Sequence, residues 1–147
     1  MANHDEERSL TLTKKKLADI MKEIDFCMMT TLQSNGQLSS RPMSNNSNVE
    51  WDGDTWFFAS KDSMQVQEIS EHANLNLSYA VPDEILFISI EGRGEIVEDV
   101  EKKKALWEKE LERWFPGGPE DDEVVLIRVV GEYAAIWSKE GDATLDL

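Results

Sequence analysis

The spacing of apolar and polar positions changes several times along the chain. Leu17, Ile20, Met21 and Ile24 recur at helical spacing, with Lys14, Lys15, Lys16 and Lys22 outside the stripe, which predicts a short amphipathic first helix. Phe26–Leu32 is apolar and Thr-rich. Gln33–Ser34–Asn35–Gly36 is a turn signal and Gln37–Ser44 continues as a second strand, so a hairpin is expected. Asn45–Asn46–Ser47–Asn48 reads as a loop, and Trp51–Asp52–Gly53–Asp54 as a turn into an aromatic strand, Thr55–Ala59. Val66, Ile69 and Ala73 then share one side of a short second helix that Asp62 or Ser63 could cap.

Strand period returns at Leu75, Leu77 and Tyr79 and ends at Pro82–Asp83. Ile85–Ile90 is a strong strand, and Gly92–Arg93–Gly94 marks a bend before Glu95–Val97. Asp99 caps a third helix expected to run to about Phe115, where Pro116–Gly117–Gly118–Pro119 ends it. Val124–Val130 and Tyr133–Trp137 complete the strands. The tail from Lys139 looks loose. Six or seven short strands joined mainly by hairpins, with three helices inserted, give an antiparallel α+β fold, and a small closed or partly closed barrel protects the many edges most simply. A leader over 1–12, one domain over 13–138 and a tail over 139–147 are expected.

Charge and composition narrow the function. The 147 residues carry 30 acidic and 15 basic side chains, for a net charge of −15. That field opposes nucleic acid and anionic membrane surfaces. No apolar run approaches the about 20 residues of a membrane span. The first residues lack the basic and apolar parts of a signal peptide. Cys27 is the single cysteine, so no internal disulfide forms, and a cytoplasmic protein is expected. With only His4 and His72, neither a closed zinc site nor a Ser-His-Asp triad has its parts. Phosphate-loop and dinucleotide-binding glycine motifs are missing, and Glu120–Glu123 lacks the spacing of a calcium loop.

An anion can bind only where local cations override the global field. Between Glu23 and Gly92 there are two permanent cations, Arg41 and Lys61. Lys61 lies where a strand passes into a helix start. Free N–H groups, the Ser63 hydroxyl and a positive dipole end converge there, and Arg41 on a neighbouring strand could add a bidentate fork. Equally, Arg41 could pair with a nearby carboxylate and Ser63 could merely cap the helix. Trp114 and Phe115 cannot both face the core that holds Leu111, so one of them reaches an interface or pocket, and Trp114 is a candidate cofactor-binding residue.

Three segments, Phe26–Cys27–Met28–Met29–Thr30–Thr31–Leu32, Ser40–Arg41–Pro42–Met43 and Thr55–Trp56–Phe57–Phe58–Ala59–Ser60–Lys61–Asp62–Ser63, resemble successive strands of the FMN-binding split-barrel proteins. The branch they resemble is the general stress protein 26-like group, related to pyridoxamine 5′-phosphate oxidase. Leu106–Pro116 is similar to that branch's helix-and-loop signature. The resemblance spans about Leu17 to Trp137. It implies a six-stranded antiparallel split barrel, a homodimer, and FMN at the subunit interface. Arg41, Pro42 and Met43, together with Phe58, Ala59, Ser60, Lys61 and Ser63, would hold the cofactor. Arg41 and Ser63 would meet the phosphate, and the backbone at Phe58 and Ala59 the ring edge. Trp137 would face the partner's flavin.

One departure stands out. Gln65 occupies the position of a usual phosphate-binding Lys, which implies weaker FMN binding, another flavin, or a lost cofactor, partly offset if Lys61 turns onto the phosphate. After Arg128 the only basic residue is Lys139, so pyridoxamine 5′-phosphate oxidase activity is not expected. An oxidoreductase acting on an unidentified small molecule, a non-enzymatic flavin-binding stress protein, and a module with a decayed site remain as the three functional readings.

Overall fold

The computed structural model describes residues 11–45 and 49–147. The expected leader up to residue 10 and the tip of the Asn-rich loop, 46–48, lie outside the described residues. Seven antiparallel strands form one open sheet: β1 (Phe26–Leu32), β2 (Leu38–Ser44), β3 (Asp54–Ser60), β4 (Asn74–Val81), β5 (Leu86–Val97), β6 (Val124–Ser138) and β7 (Gly141–Asp146). The strand order is β2-β1-β4-β5-β6-β3, with β7 also on β6. The end strands β2 and β3 do not pair with each other, so this α+β barrel is split rather than closed.

Two long strands make the sheet curl. Gly92 to Val97 of β5 pair with Leu126 to Gly131 of β6, and Phe87 to Glu91 pair with Tyr133 to Trp137, with the register shifting between Glu91 and Gly92. The extra residue on β6 is Glu132. Side chains do not fit at this bend: a Cβ on Gly92 would lie 2.6 Å from the Val130 carbonyl oxygen. Gly94 serves a different contact, since its Cβ would meet Leu75 and Ile69 at 2.8 and 2.9 Å. Its bare backbone lets the second helix sit against β5.

That helix, α2 (Met64–Glu71), follows β3 directly and is capped by Ser63, whose hydroxyl accepts from the Val66 N–H. It buries Val66, Glu68 and Ile69. The first helix, α1 (Lys14–Met21), buries Leu17 and Met21, as its stripe predicts, and is capped by Thr13. The core it joins includes Met29, Phe57, Leu77, Tyr79, Ile90, Ile127 and Ile136. Leu12 belongs to this core too.

Two expectations need correction, and one strand was missed. The third helix, α3 (Val100–Leu106), stops well before Phe115, and Lys109–Arg113 forms a separate 3₁₀ turn. The break falls at Trp107, which is extended (φ −66°, ψ 134°) and packs its ring edge-on against Phe58 at 5.1 Å. A continued helix would carry that ring away from β3. The tail is not loose: Gly141–Asp146 pairs residue by residue with β6. β3 and β7 therefore share one edge of β6 end to end, and the six strands implied by the resemblance become seven. Val124–Val130 and Tyr133–Trp137, read as separate strands, are one continuous strand bent at the bulge. α3 is fastened by Lys103, a buried ammonium that donates to the carbonyls of Asp121 (3.1 Å) and Val124 (2.8 Å).

Candidate functional site

Alternation along β2 turns Ser39, Arg41 and Met43 inward and Ser40 and Pro42 outward. On β1, Thr31 stands opposite Ser39 and Met29 opposite Arg41. Arg41 therefore points at the face that α2 covers, and there it meets Glu68. Its Nη2 donates to Glu68 Oε1 at 3.0 Å. Its Nη1 donates to Thr31 Oγ1 at 2.7 Å and to the Met29 carbonyl at 3.3 Å. Thr31 Oγ1 donates to the same carboxylate oxygen at 2.8 Å, and Ser39 Oγ to the other at 3.3 Å. The Glu68 side chain is 8% exposed and that of Arg41 19%. A carboxylate this buried needs its lone pairs filled, and three donors fill them. Of the two readings left open for Arg41, pairing with a carboxylate is the one realised in the single chain.

The strand-to-helix turn holds the other residues. Ser63 N–H donates to the Ser60 carbonyl at 3.0 Å, closing the turn, and Lys61 N–H donates to the Glu123 carbonyl at 2.7 Å. Ser63 is thus a helix cap, and Asp62 points to solvent. The Lys61 ammonium is paired with Glu98 at 2.9 Å. That bond, with Asp122 and Glu123 nearby, holds it above the ordinary lysine range. Gln65 is half-buried on the first turn of α2, and Ala59 and Met43 are core residues. β3 pairs on one side only, with β6. One edge of the Phe58–Ser60 backbone is therefore without a strand partner among the described residues.

One element links these groups. α2 begins at the Ser63 cap and carries Glu68, which holds Arg41, roughly 7–8 Å further along the axis. Within one chain, Arg41, Ser63, Gln65 and the end of β3 are thereby gathered around α2. The two tryptophans are not. Trp114 is 69% exposed and Trp137 47% exposed. Trp137 projects from the outward side of β6, opposite Phe87 on β5 and Asp142 on β7. Glu68 is the residue that sequence reasoning missed. Its signal was a carboxylate adjoining the apolar stripe Val66–Ile69, in a stretch with one inward-facing cation to meet it.

The outward face of the sheet mixes small and polar side chains with a few large apolar ones. Pro42, Met28, Ser78, Ser89, Ala135 and Thr144 lie side by side across β2, β1, β4, β5, β6 and β7. Phe26, Phe87 and Trp137 are exposed on the same side. A cleft of about 450 Å³ lies elsewhere, between α1 and the start of β3, among Lys15, Lys22, Trp51 and Trp56. None of the residues gathered around α2 lines it. Among the described residues no helix is long and apolar enough to cross a membrane.

The pyridoxamine 5′-phosphate oxidase-like family model matches residues 13–146. Comparison with curated protein sequences gives no match. Among solved structures, a Clostridium acetobutylicum protein related to general stress protein 26 of B. subtilis, of the pyridoxinephosphate oxidase family, superposes with a TM-score of 0.78 at 17% identity, covering 92% of this chain and 97% of that one. General stress protein 26 from Bacillus anthracis gives 0.76 at 23% identity, covering 91% and 98%. An F420 reductase gives 0.60 at 19% identity, covering 79% and 93%.

Proposed function

The chain belongs to the pyridoxamine 5′-phosphate oxidase-like family, and from that premise we propose that it is a flavin-binding protein of the general stress protein 26 type, holding FMN at the boundary of a homodimer. The observation that carries this reading is the convergence on α2. An inward arginine, a Ser-capped helix start and the open edge of β3 surround one helix. The first-turn N–H groups of a helix are donors without intrahelical partners, and Arg41 keeps N–H groups beyond those it spends on Met29, Thr31 and Glu68. The donor set suits a ribityl phosphate in hydrogen bonding. In charge it is thin.

Each residue has a part in that reading. Arg41 and Ser63, with Gln65 in place of a lysine, receive the phosphate. The unpaired backbone edge at Phe58–Ser60 takes the polar rim of the ring. Pro42, Met28 and Phe87 lie on the face that meets a second copy, bringing Trp137 of each chain toward the other's flavin. A site at a subunit boundary need not form a closed cavity in one chain, which accounts for the cleft lying elsewhere. A bound flavin supplies electron and hydride transfer. No acid or base side chain of this chain is assigned to the chemistry, so an unidentified small molecule would exchange electrons with the ring directly. That an F420 reductase shares the fold supports the oxidoreductase-like reading.

A specific observation favours a second reading, a weakened site: both cations carried to it already have carboxylate partners, Glu68 and Glu98. Titration of FMN into protein stripped of flavin, followed by quenching of flavin fluorescence, separates the two. Saturable binding supports the first. No binding at millimolar protein supports a decayed module. Bleaching of bound flavin by NADH or NADPH then distinguishes an oxidoreductase from a flavin-holding stress protein.

A further inference from the structure

Arg41, the residue that would greet a flavin phosphate, faces a buried carboxylate. Three of its five N–H groups are used internally, two on Nη1 and one on Nη2. What remains is the edge formed by Nε and the second Nη2 hydrogen. A ligand on that edge would share one guanidinium with Glu68, which is itself fixed by Thr31 at 2.8 Å and Ser39 at 3.3 Å and cannot swing away without breaking both bonds. The next cation offers no relief. Lys61 is held by Glu98 at 2.9 Å, with Asp122 and Glu123 beside it. Gln65 is neutral. The surroundings therefore have no positive surplus with which to receive a dianion.

We propose that Glu68 is a specificity-determining residue of the flavin site, sharing Arg41 with the ligand and so cancelling the advantage that a flavin ending in a phosphate dianion would otherwise have over one whose ribityl end is uncharged. The proposal rests on the flavin reading above. A terminal hydroxyl can accept from the free edge of Arg41 without repulsion from the carboxylate. A phosphate accepts more strongly, because charge-assisted bonds are about twice as strong as neutral ones, but it brings two negative charges to a guanidinium already neutralised. Even at the dielectric of water, about 80, removing one unit charge about 6 Å from a dianion is worth about tenfold in affinity, and more where screening is weaker.

The test compares FMN with riboflavin on the full chain at low ionic strength, by flavin fluorescence quenching, for the native protein and for Glu68→Gln. Gln keeps the size and an acceptor oxygen for Thr31 and Arg41 while deleting the charge. The native chain is expected to bind the two flavins within about threefold of each other. Glu68→Gln is expected to tighten FMN about tenfold or more and leave riboflavin within about twofold. An unchanged FMN-to-riboflavin ratio in a folded variant overturns the role of Glu68 while leaving flavin binding intact. Absence of binding to either flavin by both proteins overturns the flavin reading and the proposal with it. If Glu68→Gln fails to fold, the native protein decides alone: an FMN preference above about threefold contradicts a neutralised arginine, and affinities within that range support it.

Discussion

Replacing Arg41 by Ala leaves the Glu68 carboxylate buried without its cation, held only by Thr31 and Ser39. Breaking a buried ion pair from one side costs about 3–5 kcal/mol, mostly the penalty of the charge left behind. Arg41 is about one-fifth exposed, so water can enter the gap and the lower end applies, about 3 kcal/mol. For a chain of 147 residues, each kcal/mol lowers Tm by about 2–4 °C, so the expected fall is about 6–12 °C. Adding Glu68→Gln to Arg41→Ala removes the orphaned charge and should return about 2 kcal/mol. Urea titrations of the native protein, both single variants and the double variant give the coupling energy directly. If Arg41→Ala lies within about 0.5 kcal/mol of native, or the two substitutions are additive, the pair is not a buried anchor and the reasoning fails. Flavin binding by Arg41→Ala has to be measured at a temperature where the variant is folded.

The remaining predictions concern the core, the bend and the outward face. Burial pushes the Cys27 thiol up from 9.0 to about 12. A pKa raised by folding contributes stability that is fully present below the unfolded value and lost as pH rises through the folded one. Stability should therefore decline between about pH 9 and 12, and the thiol should resist a disulfide reagent until the chain is unfolded; rapid labelling of native protein would contradict its burial. Gly92→Ala forces a Cβ to 2.6 Å from the Val130 carbonyl, and should cost about 2–3 kcal/mol in a denaturant titration, whereas a loss under about 0.5 would mean that the bend relaxes freely. Phe87→Arg places a charge on the outward sheet face. It should convert a dimer to monomer by sedimentation with the melting curve of the monomer unchanged, and a variant that stays dimeric would move the interface elsewhere.

Local signals in the sequence carried much of the fold. Ser63 and Asp99 cap helices because each offers a short side-chain oxygen to a first-turn N–H, and the turn at Gln33–Gly36 sets the β1–β2 register. Three features escaped because their causes are tertiary. α3 ends at Trp107, where nothing local breaks a helix, because the ring is drawn onto Phe58. β7 forms from a polar tail since β6 extends past the end of β3 and leaves an edge to be paired. Glu68 looked like one more acid in an acidic chain until the fold placed Thr31, Ser39 and Arg41 around it. At the site, residue types identified Arg41 and Ser63 as neighbours of one helix but could not show that each already had an internal partner.

The proposed function requires two copies of this chain to enclose flavin at their boundary. Size-exclusion chromatography with light scattering and absorbance detection, on protein loaded with excess flavin, tests it most directly. A species of about twice the 16.8 kDa chain mass carrying one flavin per chain is expected. A species of single-chain mass that elutes without flavin would contradict it.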